Sequence, residues 1–354
     1  MTSSRSSALR VNSAVRDPST TRMFREAAQA GAVVRAQFEA NAGTVARIAR
    51  RLRDAPPRVV VTCARGSSDH AATFAKYLFE TRIGVLVASA APSVSSVYAA
   101  RQDLRDTFFL AISQSGRSPD IVGAARAARE AGALVVAAVN DESSPLASAA
   151  EYTLPLCAGE EKSVAATKSY VASLAALVQL GAEWSKDSAL RGALARLPAD
   201  LDRAWSLDWS RAVEALTGVD GLFVIARGLG LGVAQEAALK CKETCGLHAE
   251  AFSSAEVRHG PQALLRDRFP ALVFCQDDEA RSGTQALARE LADRGVPVWM
   301  AGGERGNLPA IASHPVLEPI LMAESFYRMA NALAIARGRD PDDPPHLRKV
   351  TETL

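Results

Sequence analysis

The feature that most constrains the fold is an alternation of short apolar runs with helical stretches, and it occurs twice. In the first pass the runs Arg58–Cys63, 84–88, Thr107–Ile112 and 133–138 alternate with helices from about Asp69 and over 118–131. In the second pass 221–226, Ala271–Cys275 and 296–301 alternate with helices over 232–245 and 282–293. Apolar runs of strand length separated by amphipathic helices predict a parallel sheet covered on both faces. Ala64-Arg65-Gly66 at the end of the first run recurs as Ala226-Arg227-Gly228, 162 residues later, and Gly132 finds its counterpart 163 residues later in Gly295. Two nearly equal offsets spanning a whole strand-helix unit point to duplication of one doubly wound α/β domain. A helix over about Thr20–Arg53, ended by Pro56-Pro57, precedes the first unit, and a long helix over Ala166–Ser185 closes it.

Composition narrows the function. The 354 residues carry 41 Lys+Arg against 39 Asp+Glu, with no basic block, so nucleic acid is not an expected partner. No apolar run approaches the ~20 residues of a membrane span, and no membrane association is expected. The first twenty residues are Ser- and Arg-rich without the apolar stretch of a signal peptide and read as a disordered lead-in. Five cysteines, an odd number, fit reduced thiols in the cytoplasm better than a disulfide framework. Cys241 and Cys245 share a helix face, but no second pair completes a zinc set, so no metal is expected.

In open parallel sheets, ligands sit beyond the carboxyl ends of the strands. The third run leads into Ser113-Gln114-Ser115-Gly116-Arg117-Ser118-Pro119, where hydroxyls, a glycine and a helix N-terminus make an anion site suited to phosphate. Arg65-Gly66-Ser67-Ser68 is a weaker version after the first strand. Glu161-Lys162-Ser163-Val164-Ala165-Ala166-Thr167-Lys168-Ser169 leads into the long helix and by itself reads equally as a capping segment. In the second unit Glu236, Lys240 and Glu243 fall at i, i+4 and i+7 on one helix face, either a solvated charged stripe or the wall of a cleft. His259, in His259-Gly260-Pro261, follows sixteen residues on. A carboxylate and a histidine near a phosphate site are the parts for moving a proton on a sugar phosphate.

Taken in order, Ser113-Gln114-Ser115-Gly116, Val164-Ala165-Ala166-Thr167-Lys168, Leu239-Lys240-Cys241-Lys242-Glu243, His248-Ala249-Glu250-Ala251, His259-Gly260-Pro261 and Leu347-Arg348-Lys349-Val350-Thr351 resemble the sugar isomerase (SIS) family. Within it, the resemblance is to the isomerase half of glutamine:fructose-6-phosphate aminotransferases, from about Thr21 onward. It implies an α/β fold of two tandem doubly wound, flavodoxin-like SIS domains with parallel sheets, an N-terminal helix and an ordered C-terminal tail. The expected division is residues 1–20 as lead-in, 21–195 as the phosphate-binding domain, 196–338 as the domain with the acid/base residues, and 339–354 as a tail closing the site.

The resemblance also assigns roles. Ser113, Gln114, Ser115 and Ser118 would hold the phosphate with Ser68 nearby, and Val164 and Ala166 would also bind substrate. Glu243 would move the proton between C1 and C2, His259 would open the ring, and Lys349 would form a Schiff base with the ketose. Lys240 and Glu236 would support the site. No cofactor or metal is implied, and the histidine would reach the site from a second copy, so a homodimer is expected. Arg348 and Ala166 stand where the aminotransferases carry alanine and serine. Those enzymes also carry an N-terminal glutaminase whose cysteine follows the initiator Met, whereas Met1 here is followed by Thr2. The expectation is a glucosamine-6-phosphate deaminase/isomerase. The alternatives are amination of fructose 6-phosphate with free ammonia or a partner glutaminase, and a non-catalytic sugar-phosphate sensor.

Overall fold

A computed structural model describes residues 16–349. Two parallel sheets form the frame. The first contains β1 (Val59–Cys63), β2 (Leu86–Ser89), β3 (Thr107–Ser113), β4 (Leu134–Val139) and β5 (Tyr152–Pro155), in the order β2-β1-β3-β4-β5. The second contains β6 (Gly221–Ala226), β7 (His248–Ser253), β8 (Ala271–Cys275) and β9 (Val298–Gly302), in the order β7-β6-β8-β9. In both, the first strand lies between the second and third, as duplication of one doubly wound unit requires. Every residue of β3, β4, β6 and β8 is buried, the signature of parallel strands covered by helices on both faces. β2 is an edge strand, and its Leu86 is exposed.

Several elements escaped the sequence patterns, among them two strands and one long helix. β5 is short and β7 carries polar residues along its length, so neither stands out as an apolar run. The helix Glu318–Ala336 is buried nearly all round and lacks the one-sided pattern that marks a surface helix. The expected N-terminal helix is divided. A 3-10 turn at Pro18–Thr20 is followed by a helix Arg22–Ala27, which the Thr21 hydroxyl caps by accepting from the Phe24 N–H at 3.1 Å, and then by a long helix Ala30–Asp54. Residues 16–20 of the expected lead-in are thus ordered, with Asp17 accepting from the Ser19 N–H to open the turn, while residues 1–15 lie outside the described chain.

The two halves meet along the helix Gly230–Cys245, which packs against Ser67–Arg82 of the first half and against Glu318–Ala336. Contact is closest at Gly232, where a Cβ would stand 2.5 Å from the His70 carbonyl oxygen and 3.0 Å from the Phe74 nitrogen. The Tyr170 hydroxyl, from the helix Lys168–Ser185, donates to the Gly232 carbonyl at 3.1 Å. One turn beyond this crossing the two halves place their polar side chains together. Among the described residues, no helix is long and apolar enough to cross a membrane.

Candidate active site

The carboxyl end of β3 and the helix Pro119–Glu130 frame the first component. The loop between them is held from within: the Gly116 N–H donates to Ser113 Oγ at 3.1 Å, and the Arg117 N–H to Ser115 Oγ at 3.3 Å. Gly116 has φ +63°, and a Cβ there would lie 2.2 Å from Ser144 Oγ, so only glycine fits. Arg117 is drawn aside by Asp141 at 2.7 Å. Ser118 is the N-cap residue, but its hydroxyl makes no capping bond and remains available at the positive end of the helix. A second helix N-terminus approaches from Gly66, φ +56°, which starts Ser67–Arg82 and brings Ser67 and Ser68 to the same place. Arg65 reaches across to Asp120 at 2.9 Å and ties the two helix starts together.

The second component is the stripe on Gly230–Cys245, and it lines a cleft rather than a solvated face. The Lys240 side chain is fully buried and Glu236 is nearly so. Lys240 Nζ lies 2.6 Å from Glu243 Oε2, 3.2 Å from Glu236 Oε1 and 3.1 Å from Ser67 Oγ. Burial alone would lower the Lys240 pKa, but the two carboxylates outweigh it and hold the amine above its ordinary value. Glu236 shows the mirror image: burial would raise it, and Lys240 with His70 holds it below the usual carboxylate range. Its oxygens also receive Ser67 Oγ at 3.2 Å, His70 Nδ1 at 3.0 Å and Tyr327 Oη at 3.1 Å. Of the two acids Glu243 alone remains partly open, with 21% of its side chain exposed.

The tail supplies the third component. Lys349 Nζ lies 3.0 Å from Glu161 Oε2 and donates to the Ser163 carbonyl at 2.7 Å. Glu161 is buried, and besides Lys349 it accepts from the Thr167 and Ser169 N–H groups and the Ser169 hydroxyl. Burial would raise its pKa, but the Lys349 charge and these donors bring it below the ordinary value.

These components enclose one cavity of ≈ 340 Å³. Ser68, Ser113, Gln114, Ser115, Ser118, Val164, Ala166, Lys240, Glu243 and Lys349 line it, together with Arg65, Ser67, Leu347 and Arg348. Glu236 is not on the wall; it lies behind Lys240. His259 does not line the cavity either, and stands exposed in a 3-10 turn, Glu256–His259, after β7. Ser67 and Glu161 fall inside segments singled out by the sequence but without a role of their own, while His70 and Tyr327 were passed over. His70 lies two residues past Ser68 and could have been found there, but nothing local marks Tyr327 as a partner of a glutamate 91 residues away. A second cavity, of ≈ 330 Å³ beside Phe109, is lined half by alanines and contains none of the residues of these three components. Among the described residues no group of His, Cys, Asp or Glu is arranged to hold a metal ion, and all five cysteines are free.

Residues 52–182 and 215–301, one segment in each half, match the model of the SIS domain. The chain belongs to the SIS domain family. Its relatives include the glutamine–fructose-6-phosphate aminotransferase (isomerizing) of Symbiobacterium thermophilum, 35% identical over 315 residues, a match covering 82% of this chain and 51% of the relative. The chain spans about half the length of the curated relatives it matches. A crystal structure from Silicibacter pomeroyi DSS-3, of a protein whose assignment as a phosphosugar isomerase is provisional, superposes with TM-score 0.88 at 44% identity, covering 91% of this chain and all of that one. The glucosamine-6-phosphate deaminase of Thermotoga maritima shares the fold, with TM-score 0.77 and 22% identity over 94% of this chain and all of its own. These SIS-domain matches accord with the two parallel sheets.

Proposed function

We propose that this protein converts glucosamine 6-phosphate and water to fructose 6-phosphate and ammonia. The observation that carries the reading is that a hydroxyl-rich helix N-terminus from one half and the Lys240–Glu243 pair from the other open on the same cavity. Ser113, Gln114, Ser115 and Ser118 bind the phosphate and leave the far end of the open-chain sugar beside Glu243. Glu243 removes the proton from C2 and returns it to C1, so that the aldehyde and amine pass through an enolamine to a C2 imine. Water hydrolyses the imine and ammonia leaves. Lys240, fixed between two carboxylates, sets the position of Glu243, and Glu236 holds Lys240 from behind. A general base positioned in this way contributes roughly 10²–10⁴-fold.

Lys349 stands where it would meet the ketose carbonyl. To add there it must give up a proton, and Glu161, 3.0 Å away, is within reach to take it. His259 lies outside its own chain's cavity, so its assignment to ring opening rests on a homodimer in which one copy presents it to the other's sugar. Val164, Ala166 and Ser68 shape the wall around the sugar. The cytoplasm, where the five free cysteines would stay reduced, is the compartment that suits the reading.

The reverse reaction, amination of fructose 6-phosphate by ammonia, has one observation in its favour: the sequence relatives are aminotransferases. The test is incubation of the purified protein with glucosamine 6-phosphate, with ammonia and fructose 6-phosphate measured together. Equal amounts of both support the proposal. Absence of ammonia release refutes deamination, and sugar-phosphate binding with no turnover in either direction supports a sensor instead.

A further inference from the structure

The short helix Arg22–Ala27 lies outside the cavity, yet it contacts two segments that meet there. At its start, the Asp342 carboxylate from the C-terminal tail accepts the Arg22 N–H at 2.8 Å and the Met23 N–H at 2.9 Å. Arg16 adds ion pairs to Asp340 at 2.7 Å and Asp342 at 3.1 Å. One turn on, Glu26 accepts the Lys162 N–H at 2.7 Å and the Ser163 N–H at 3.0 Å, at the heart of the loop beside Val164 and Ala166. That loop carries the two groups that hold Lys349, the Glu161 carboxylate and the Ser163 carbonyl.

The contacts form a closed ring. It runs from Asp342 through Arg22–Ala27 to Glu26, on to the 161–163 loop, to Lys349, and back along the tail to Asp342. The tail from Asp342 to Lys349 therefore has both ends fixed by reference to a single turn of helix. Glu26 is buried at 9% exposure and spends both oxygens on adjacent backbone N–H groups, which holds the two peptide units immediately before the Ser163 carbonyl that faces Lys349. Backbone N–H groups of a loop turned inward need such an acceptor, and an acid from another element both satisfies them and sets the register between the two elements.

We infer that Glu26 and Asp342 are positioning residues, through which the N-terminal helix sets where Lys349 stands over the sugar. The inference rests on the proposed reaction for its kinetic consequence but not for its structural one. Neither residue touches the cavity, so their effect passes wholly through the loop and the tail. A displacement of about 1 Å at a reacting group costs up to roughly 100-fold in rate, which sets the scale for Lys349.

The experiment compares the full-length protein with Glu26→Ala, Glu26→Gln and Asp342→Ala. Amide hydrogen exchange without ligand should show faster exchange in Glu26→Ala both at 161–167 and in the tail at 343–349, with the 113–118 loop unchanged. Kinetics with glucosamine 6-phosphate should show kcat lowered by about 10-fold or more with KM within about 3-fold, because the phosphate contacts are intact, and partial recovery in Glu26→Gln, which keeps one acceptor oxygen. Asp342→Ala should loosen the tail without loosening 161–167 to the same degree. Tail exchange unchanged in Glu26→Ala would overturn the inference. So would kcat and KM both at wild-type values, or losses that follow only the fraction of protein unfolded with no recovery in Glu26→Gln. If the wild-type protein releases no ammonia, the reaction is wrong, and the exchange arm still decides the positioning role.

Discussion

Replacing Lys240 with methionine keeps the length of the side chain and removes the charge of a fully buried group. At an effective dielectric constant of about 20, unit charges 3.2 Å apart attract by about 5 kcal/mol, and Lys240 has two such partners. Much of this offsets the desolvation of the ammonium, and removing one member of a buried pair costs about 3–5 kcal/mol net. Glu236 keeps its bonds from Ser67, His70 and Tyr327, which places the expected loss for Lys240→Met near the lower end. The sign of the pH dependence is a sharper test than the size. In the wild type the pKa of Glu236 is depressed, so its stabilising contribution is present above the unfolded value of about 4.3 and is lost as pH falls through the folded value. In Lys240→Met burial dominates, the folded pKa of Glu236 rises, and the variant's deficit grows between about pH 5 and pH 8. Urea unfolding at those two pH values measures it. Adding Glu236→Gln should recover at least about 1 kcal/mol at pH 8. Penalties that simply add in the double variant, or a deficit larger at pH 5 than at pH 8, would refute the reasoning.

Other consequences follow from single residues. Glu243→Gln should lower ammonia release by roughly 10²–10⁴-fold while leaving sugar-phosphate affinity, measured by calorimetry, within a few-fold. Gly116→Ala places a Cβ 2.2 Å from Ser144 Oγ at a positive φ, and should weaken binding of sugar phosphate and cost at least about 1–2 kcal/mol of stability, read by calorimetry and urea unfolding. Glu324 is buried with Oε2 unpartnered, and burial, aided by Asp202, pushes its pKa well above the ordinary value. Because the folded state holds that proton more tightly, stability falls as pH rises above about 4.3, and Glu324→Gln should raise the melting temperature more at pH 8 than at pH 5. Random re-association of Glu243→Gln with His259→Asn dimers should restore about a quarter of wild-type ammonia release, since half the dimers would be mixed and each would hold one intact site. No recovery would place His259 outside a shared site.

The parts of the fold that could be read from the sequence were those whose physics is local. β3, β4, β6 and β8 are buried on both faces and had to be continuous apolar runs, and the glycines that follow their helices mark fixed offsets between the two halves. β5, with its half-buried Tyr152 and Thr153, and the almost entirely buried Glu318–Ala336 broke those patterns for opposite reasons. At the candidate site, the spacing of Glu236, Lys240 and Glu243 fixed their common face, but only packing against Ser67–Arg82 turned that face into a cleft. Glu26, Glu161 and Tyr327 act over separations of 136, 188 and 91 residues; Glu161 heads a segment that the motifs single out, but nothing near Glu26 or Tyr327 carries a signal. His259 shows the opposite limit: its motif was legible, while its exposed position could be known only from the structure.

A crystal structure with a bound open-chain sugar phosphate, such as the 6-phosphate of a reduced amino sugar that cannot turn over, tests the central claim most directly. The account predicts the phosphate among Ser113, Gln114, Ser115 and Ser118, with the C1–C2 end within about 3–3.5 Å of the Glu243 carboxylate and Lys349 closing over it. Phosphate bound elsewhere, or a sugar whose C1–C2 end turns away from Glu243, would contradict it.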